Sequence, residues 1–171
     1  MSIAIRRLRP TDGDDLAELY RSAEVVEQTG QLPDRGGPFW LGFYTARDPN
    51  AVDLVAELDG KVIGHLGILT NVNPRRKHVA SFGIAVHPAF QGRGAGKALI
   101  GEMIALCDNW LNIVRLELTV FADNPRAIGL YEACGFVREG VAKADMFKNG
   151  RYVDGLRMAR FNPTYKGMLE N

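Results

Sequence analysis

The chain has 171 residues, of which 46% are hydrophobic and 24% are charged, and its formal net charge is +1. This length predicts a single domain over residues 1–171, with a core from about 3 to about 161, and the average composition excludes disordered and collagen-like chains. The balanced charge argues against a general binder of nucleic acid or anionic membranes, because such proteins usually carry an excess of basic residues.

The cellular compartment is indicated by the cysteines and by the apolar segments. Cys107 and Cys134 are too few for a disulfide framework. No apolar run approaches the ~18–20 residues that span a bilayer, and the first seven residues have no apolar signal core. We therefore expect a cytoplasmic protein with no membrane partner.

The first half of the chain predicts a strand, two helices and three strands. Alternating residues predict the first strand over 2–8, and Thr11-Asp12-Gly13-Asp14 resembles a capping box. A first helix follows, and its inner face is predicted to carry Leu16, Leu19 and Tyr20. A second helix is predicted over Phe39–Arg47, with Trp40, Phe43 and Tyr44 on its inner face. Residues 24–38 show no periodic pattern. Asp59-Gly60 suits the turn of a hairpin over 52–70.

The second half alternates strands and helices. A strand over 79–86 precedes a helix over 94–111, and a strand over 114–121 precedes a helix over 125–133 that Gly135 ends. The inner face of the longer helix is predicted to carry Leu99, Met103, Leu106, Cys107 and Trp110. Two last strands follow Phe136 and turn at Asn149-Gly150.

This order predicts an α+β fold with a mixed, mostly antiparallel, twisted sheet of about seven strands flanked by about four helices. The crossover helices in the second half require some parallel pairing. Too few strand–helix units are present for a TIM barrel or a Rossmann fold.

The segment that carries chemistry is Gln91-Gly92-Arg93-Gly94-Ala95-Gly96-Lys97, at the start of the longer helix. Glycines at alternate positions let backbone N–H groups point into one concavity, and with the helix dipole such a nest binds phosphate. Arg93 and Lys97 add positive charge. A Walker A loop would need Gly at 91 and Ser or Thr at 98, and a dinucleotide fingerprint needs another spacing. The alternative is a glycine-rich loop that only turns the chain.

Two blocks resemble the GNAT family of N-acetyltransferases. Residues 91–96 are similar to the family signature Q/R-x-x-G-x-G/A after a V-H-P strand end, and residues 124–136 are similar to N-x-x-A-x-x-L-Y-x-x-x-G-F. The resemblance implies the acyl-CoA N-acyltransferase (GNAT) fold and acetyl-CoA as co-substrate. Within the family, segments 73–80, 107–111, 117–121 and 149–154 look like those of bacterial L-amino acid N-acetyltransferases.

The resemblance also implies which residues hold acetyl-CoA. They are Ile84, Ala85, Val86, Gln91, Gly92, Arg93, Gly94, Ala95, Gly96, Lys97 and Asn124. The first three would pair through their backbones with the pantetheine amides, as an added strand does, where an N–H also polarises the thioester carbonyl. The loop amides would hold the pyrophosphate. Asn124 has an alternative role as the N-cap before Pro125.

The resemblance makes Tyr131 the catalytic acid. Acyl transfer from a thioester to an amine expels a thiolate, which a nearby phenol can protonate. The alternative is a core tyrosine whose hydroxyl is satisfied elsewhere.

The base that deprotonates the amine is not evident in the sequence. Many relatives place a carboxylate on the fourth strand, where this chain has Ala80-Ser81-Phe82-Gly83. His87 is near but precedes a proline at a strand end, so we expect a water relay. Direct transfer needs no cysteine nucleophile, and three scattered histidines predict no metal site.

The expected acceptor is a small-molecule amine, by resemblance an L-amino acid. The acceptor pocket is expected to use Leu32, Phe39, Trp40, Phe147 and Tyr152 as walls, and Arg35, Arg75 or Arg76 as partners of a substrate carboxylate. The alternatives are a polyamine, an amine antibiotic or toxin, a protein N-terminus, and a non-enzymatic acyl-CoA sensor. The resemblance also implies a homodimer.

Overall fold

The computed structural model describes residues 2–33, 35–46 and 51–165, without the side chains of residues 41, 44 and 45. The predicted helix end at Arg47 and the predicted orientation of Tyr44 lie outside the described residues.

A mixed sheet forms the centre of the molecule, as predicted. Its described strands are β1 (Ala4–Arg7), β2 (Val52–Leu58), β3 (Lys61–Thr70), β4 (Val79–Val86), β5 (Arg115–Phe121), β6 (Val137–Lys148) and β7 (Arg151–Phe161). Their order is β1-β2-β3-β4-β5-β7-β6. Only β4 and β5 pair in parallel among these strands, because a helix connects them.

The described residues form five α-helices where about four were predicted. They are α1 (Gly13–Leu19), α2 (Ala23–Glu27), α3 (Gly37–Thr45), α4 (Ala95–Asn109) and α5 (Pro125–Ala133). The sequence pattern missed α2 because five residues are too few to show a helical period. In the described ranges, no helix has the length and apolar character needed to cross a membrane.

The β2–β3 hairpin has the predicted turn and one irregularity. Asp59 and Gly60 both have positive φ, 51° and 82°, as a type I′ turn requires. Pairing starts in register at Leu58 and Lys61, but it shifts by one residue between Ala56 and Glu57. The shift is a β-bulge that leaves Ile63 of β3 without a direct partner on β2, so each earlier residue of β2 pairs one position further along β3 than in an uninterrupted hairpin.

Each face of the sheet carries its own hydrophobic cluster. Leu99, Met103 and Cys107 of α4 belong to the cluster on one face, which also contains Ile128 and Tyr131 of α5. The other cluster contains Leu16, Leu19 and Tyr20 of α1 together with Trp40 of α3. The predicted inner faces of these helices are therefore confirmed, with one exception.

The exception is Trp110, which was predicted to lie on the buried stripe of α4 and is 82% exposed. The helix ends at Asn109, and the φ of −129° at Trp110 is not helical. A residue outside the helix no longer follows the 3.6-residue period, so the spacing alone predicted a buried side chain where the structure has an exposed one.

Candidate active site

The site begins where β4 and β5 separate. The two strands pair only from Val79 to Ser81 on β4, opposite 115–117 on β5. Beyond this point the backbone groups of β4 that face β5 have no strand partner, so the strand is open to an added one.

The alternation of backbone groups determines which residues of β4 face the gap. His87 N donates to Ile63 O at 2.8 Å, so His87 faces β3. Since the polar groups alternate along a strand, those of Ile84 and Val86 face the gap, and those of Ala85 face β3. Consistently, the Ala85 carbonyl oxygen lies 3.2 Å from the point where a Cβ on Gly64 of β3 would stand. Of the three residues predicted to pair with a ligand through their backbones, Ile84 and Val86 direct their backbone groups into the gap, and Ala85 does not.

A cavity of about 790 Å³ occupies the gap. Its lining includes Ile84 and Val86 of β4, Leu118 and Val120 of β5, and side chains from both faces of the sheet. At one end it reaches the glycine-rich loop, and at the other it reaches Tyr20 after α1 and the helices α2 and α3. One ligand lying in the gap can therefore touch both helical layers.

The glycine-rich loop meets the cavity at the N-terminus of α4. Gly92 and Gly94 have φ of 75° and 91°, and a Cβ on either would stand in open space. The first helical hydrogen bond runs from Ala98 N to Gly94 O at 2.9 Å, so the preceding N–H groups have no helical acceptor. These N–H groups, the helix dipole and the Lys97 side chain favour an anion here.

The two polar side chains of the loop do not both face the cavity. Gln91 lines it, and its Nε2 donates to Val86 O at 2.9 Å, which ties the loop to the end of β4. Arg93 is absent from the lining, and its guanidinium carbon lies 5.4 Å from the centre of the Phe90 ring. The structure thus keeps Gln91 at the site and turns the Arg93 side chain away from it.

Asn124 is the N-cap of α5, and it also lines the cavity. Its Oδ1 accepts a hydrogen bond from Ala127 N at 3.1 Å. That bond leaves the side-chain NH₂ group to serve a ligand, so the capping role and the binding role are compatible.

Tyr131 lies on the α5 side of the cavity, packed edge-on against Phe82 with ring centroids 5.9 Å apart. Burial raises the pKa of its phenol to about 12, with a smaller effect from Cys134. In the part of the chain described, its hydroxyl has no hydrogen-bond partner, yet it is not a buried unsatisfied atom. The hydroxyl therefore opens onto the cavity, in the protonated form that an acid needs.

The surroundings of the two cysteines and of His87 favour structural roles for these residues. Cys107 is fully buried, and burial raises its pKa to about 12, so its thiol stays protonated. Burial also raises the pKa of the Cys134 thiol. His87 Nδ1 accepts from Ala89 N at 3.3 Å, which caps a short turn.

The acceptor end differs from the sequence prediction. Of the predicted walls only Trp40 lines the cavity, whereas Phe147 and Tyr152 are exposed on the β6–β7 hairpin and pack on each other. The predicted arginines also lie elsewhere: Arg76 pairs with Glu117 at 2.6 Å, for example. Side chains that sequence reasoning missed line this end instead, and they are Tyr20, Glu24, His65 and Arg126.

The comparison with protein families finds a match over most of the chain. A family model described as the acetyltransferase (GNAT) family matches residues 14–136. The matched segment includes the separated strands, the glycine-rich loop and α5.

Relatives and solved structures match nearly the whole chain. It is 43% identical to the L-amino acid N-acetyltransferase AaaT of Escherichia coli, over 92% of this chain and 97% of that protein. A phosphinothricin acetyltransferase from Sinorhizobium meliloti, solved with AcCoA, is 26% identical with a TM-score of 0.82, covering 99% and 95% of the two chains. A spermidine N-acetyltransferase from Vibrio cholerae, solved with CoA and spermine, is 28% identical with a TM-score of 0.84, covering 96% and 98%.

The positive φ of Gly94 gives a test of the loop. Gly94→Ala places a Cβ in the left-handed region at a cost of about 1–2 kcal/mol, which we expect to distort the nest and raise the KM for acetyl-CoA about tenfold. Gly101→Ala is the matched control, because Gly101 lies exposed inside α4 with nothing within 4 Å of its Cβ position. An unchanged KM in Gly94→Ala would contradict the anion site, and steady-state kinetics measure both variants.

Proposed function

The chain belongs to the GNAT acetyltransferase family, and we propose that it acetylates the primary amine of an L-amino acid in the cytoplasm. Its coarser activity follows from the family: it is an N-acetyltransferase that uses acetyl-CoA. The finer proposal concerns the acceptor and the roles of individual residues.

The charge at the acceptor end is the observation that carries the proposal. Among the described residues that line the cavity, Glu24 is the one carboxylate side chain. Arg126 Nη1 lies 3.9 Å from its Oε1, and both side chains are more than half exposed. An amino acid needs a cation for its carboxylate, whereas a polyamine needs several carboxylates. Arg126 supplies the cation, and the similarity to AaaT over nearly the full chain supports the same acceptor class.

Acetyl-CoA fits the gap in three places. The gap-facing backbone groups of Ile84 and the Val86 N–H suit the pantetheine amides, and the N–H groups at the start of α4 suit the pyrophosphate. The Tyr131 hydroxyl opens onto the same cavity. We assign to Tyr131 the proton that the departing sulfur needs, because its raised pKa keeps it protonated at neutral pH.

The acid role predicts the behaviour of Tyr131→Phe. The substitution keeps the ring against Phe82 and removes only the oxygen. We expect kcat to fall by about 10²–10⁴-fold, with the affinity for CoA unchanged in calorimetry. Unchanged turnover would contradict the assignment and move the proton donor elsewhere.

The acceptor is tested by thiol release with acetyl-CoA and each L-amino acid, and with spermidine in parallel. Turnover with an amino acid and not with spermidine is expected; the reverse would overturn the proposed acceptor. Arg126→Gln should raise the amino acid KM at least about tenfold, the size of one charged contact, and leave the acetyl-CoA KM unchanged. Arg138→Gln is the matched control, since Arg138 is an equally exposed, paired arginine that does not line the cavity.

We also propose a homodimer through the C-terminal strands. Strand β6 is an edge of the sheet and exposes Val137 and Val141, and an open edge with apolar side chains favours pairing with another chain. Sedimentation should give twice the chain mass. Val141→Lys should shift that equilibrium toward the monomer, and a monomeric unmodified protein would contradict the proposal.

A further inference from the structure

Three buried polar side chains form a hydrogen-bonded chain beside the acceptor end of the cavity. Tyr20 OH lies 2.8 Å from His65 Nδ1, and His65 Nε2 lies 3.0 Å from Asp53 Oδ1. The three residues are 4–6% exposed. Tyr20 and His65 line the cavity, while Asp53 stands behind them on β2.

The carboxylate determines the direction of these hydrogen bonds. An ionised carboxylate only accepts, so His65 Nε2–H donates to Asp53. With His65 neutral, Nδ1 then carries a lone pair and accepts the hydrogen bond of the Tyr20 hydroxyl. Tyr20 thus stands at the cavity end of the chain, His65 lies next to it, and the Asp53 carboxylate lies behind both.

The side chain of Trp40 on α3 holds Tyr20 in place. Its ring stacks on Trp40, with centroids 4.3 Å apart and an interplanar angle of 17°. Trp40 is itself anchored by the hydrogen bond from its Nε1 to Arg35 O at 3.2 Å. Burial raises the pKa of the Tyr20 phenol far above its usual value. The raised pKa disfavours a lasting phenolate at Tyr20.

The chain of three lies on the opposite face of β4 from Tyr131. His65 is the register partner of Ala85, whose side chain packs with the cluster of α1 and α3. Tyr131 contacts Phe82, which belongs to the cluster of α4 and α5. Phe82 and Ala85 are three residues apart on β4, so they lie about 10 Å apart along the strand and their side chains point to opposite faces of the sheet. A group that accepts a proton and a group that donates one thus border the same gap from opposite sides.

A purely structural role would not explain why polar side chains occupy these buried positions. A buried carboxylate and a buried imidazole lose hydration that their mutual contacts only partly replace, whereas apolar residues of similar size would pack there without that cost. The hydrophobic cluster on this face of the sheet includes Val55, Trp40 and Ala85.

We propose that Tyr20, His65 and Asp53 form the proton relay that deprotonates the acceptor amine, which rests on the proposed N-acetyl transfer. As the amine nitrogen bonds to the acetyl carbon, one N–H proton passes to the Tyr20 oxygen and the Tyr20 proton passes to His65 Nδ1. The C–S bond breaks, and its electron pair takes a proton from Tyr131. The His65 imidazolium, stabilised by Asp53, then returns its proton through Tyr20 to solvent, and Tyr131 regains a proton from solvent. Tyr20 touches the substrate, and His65 and Asp53 act through it.

The test compares Tyr20→Phe and His65→Gln with Tyr165→Phe and His78→Gln, two exposed controls outside the cavity lining. The assay uses acetyl-CoA with whichever probe the unmodified enzyme acetylates, an L-amino acid or spermidine. The test of the proton relay therefore remains valid even if the acceptor is not an L-amino acid. If the enzyme acetylates neither, the proposed function fails, and the resonance measurement below still decides the hydrogen-bond assignment.

The relay predicts a loss of turnover with a change in pH dependence. Tyr20→Phe and His65→Gln should lower kcat by about 10²-fold or more. The acid limb of kcat should move to higher pH, because the amine must then lose its proton without help. Both controls should match the unmodified enzyme. In calorimetry, Tyr20→Phe should bind CoA as the unmodified enzyme does.

The hydrogen-bond assignment has its own readout. Nitrogen-15 resonance of labelled histidine should show His65 protonated on Nε2 in the free protein, and protonation on Nδ1 alone would overturn the relay. A folded Tyr20→Phe that melts at lower temperature but keeps the kcat and pH profile of the unmodified enzyme would also overturn it, leaving a structural network. Tyr20→Phe removes one oxygen, so it decides the question even where His65→Gln does not fold.

Discussion

The incomplete pairing of β4 with β5 is the constraint on which the rest of the site depends. Backbone N–H and C=O groups need partners, and two parallel strands that separate after three residue pairs leave one row of them unmatched. A ligand with amides of its own can complete that row. The gap also opens a passage between the two helical layers, which a fully paired sheet would close.

The passage has two chemically different ends. At the α4 end, backbone N–H groups, a helix dipole and Lys97 favour an anion. At the other end, the lining includes Tyr20, Glu24 of α2, and Trp40 and Phe43 of α3. The α4 end relies mostly on backbone groups of a glycine-rich loop, which a short stretch of the sequence reveals. The other end relies on side chains from separate elements, which a local sequence pattern does not bring together.

Local patterns predicted most of the fold. The Asp59-Gly60 turn, the α5 bounds at Pro125 and Ala133 and the C-terminal Gly135 depend on backbone preferences of neighbouring residues, which a sequence carries directly. The prediction failed where the helical period ends or is too short to be recognised. Trp110 follows the helical spacing but lies beyond the helix end, and α2 is too short to show a period.

By itself, the sequence determined the order of the strands and of every α-helix except α2, the glycine nest before α4 and the position of Tyr131 on α5, because each depends on residues close together in the chain. Only the tertiary structure decided that Asp53 meets His65. An uninterrupted hairpin from Asp59-Gly60 would pair His65 with Leu54 and turn Asp53 to the opposite face of the sheet. The bulge between Ala56 and Glu57 pairs His65 with Val55 instead, which places Asp53 on the same face. A shift of one residue in strand pairing leaves no local signature, yet it brings the carboxylate to the imidazole.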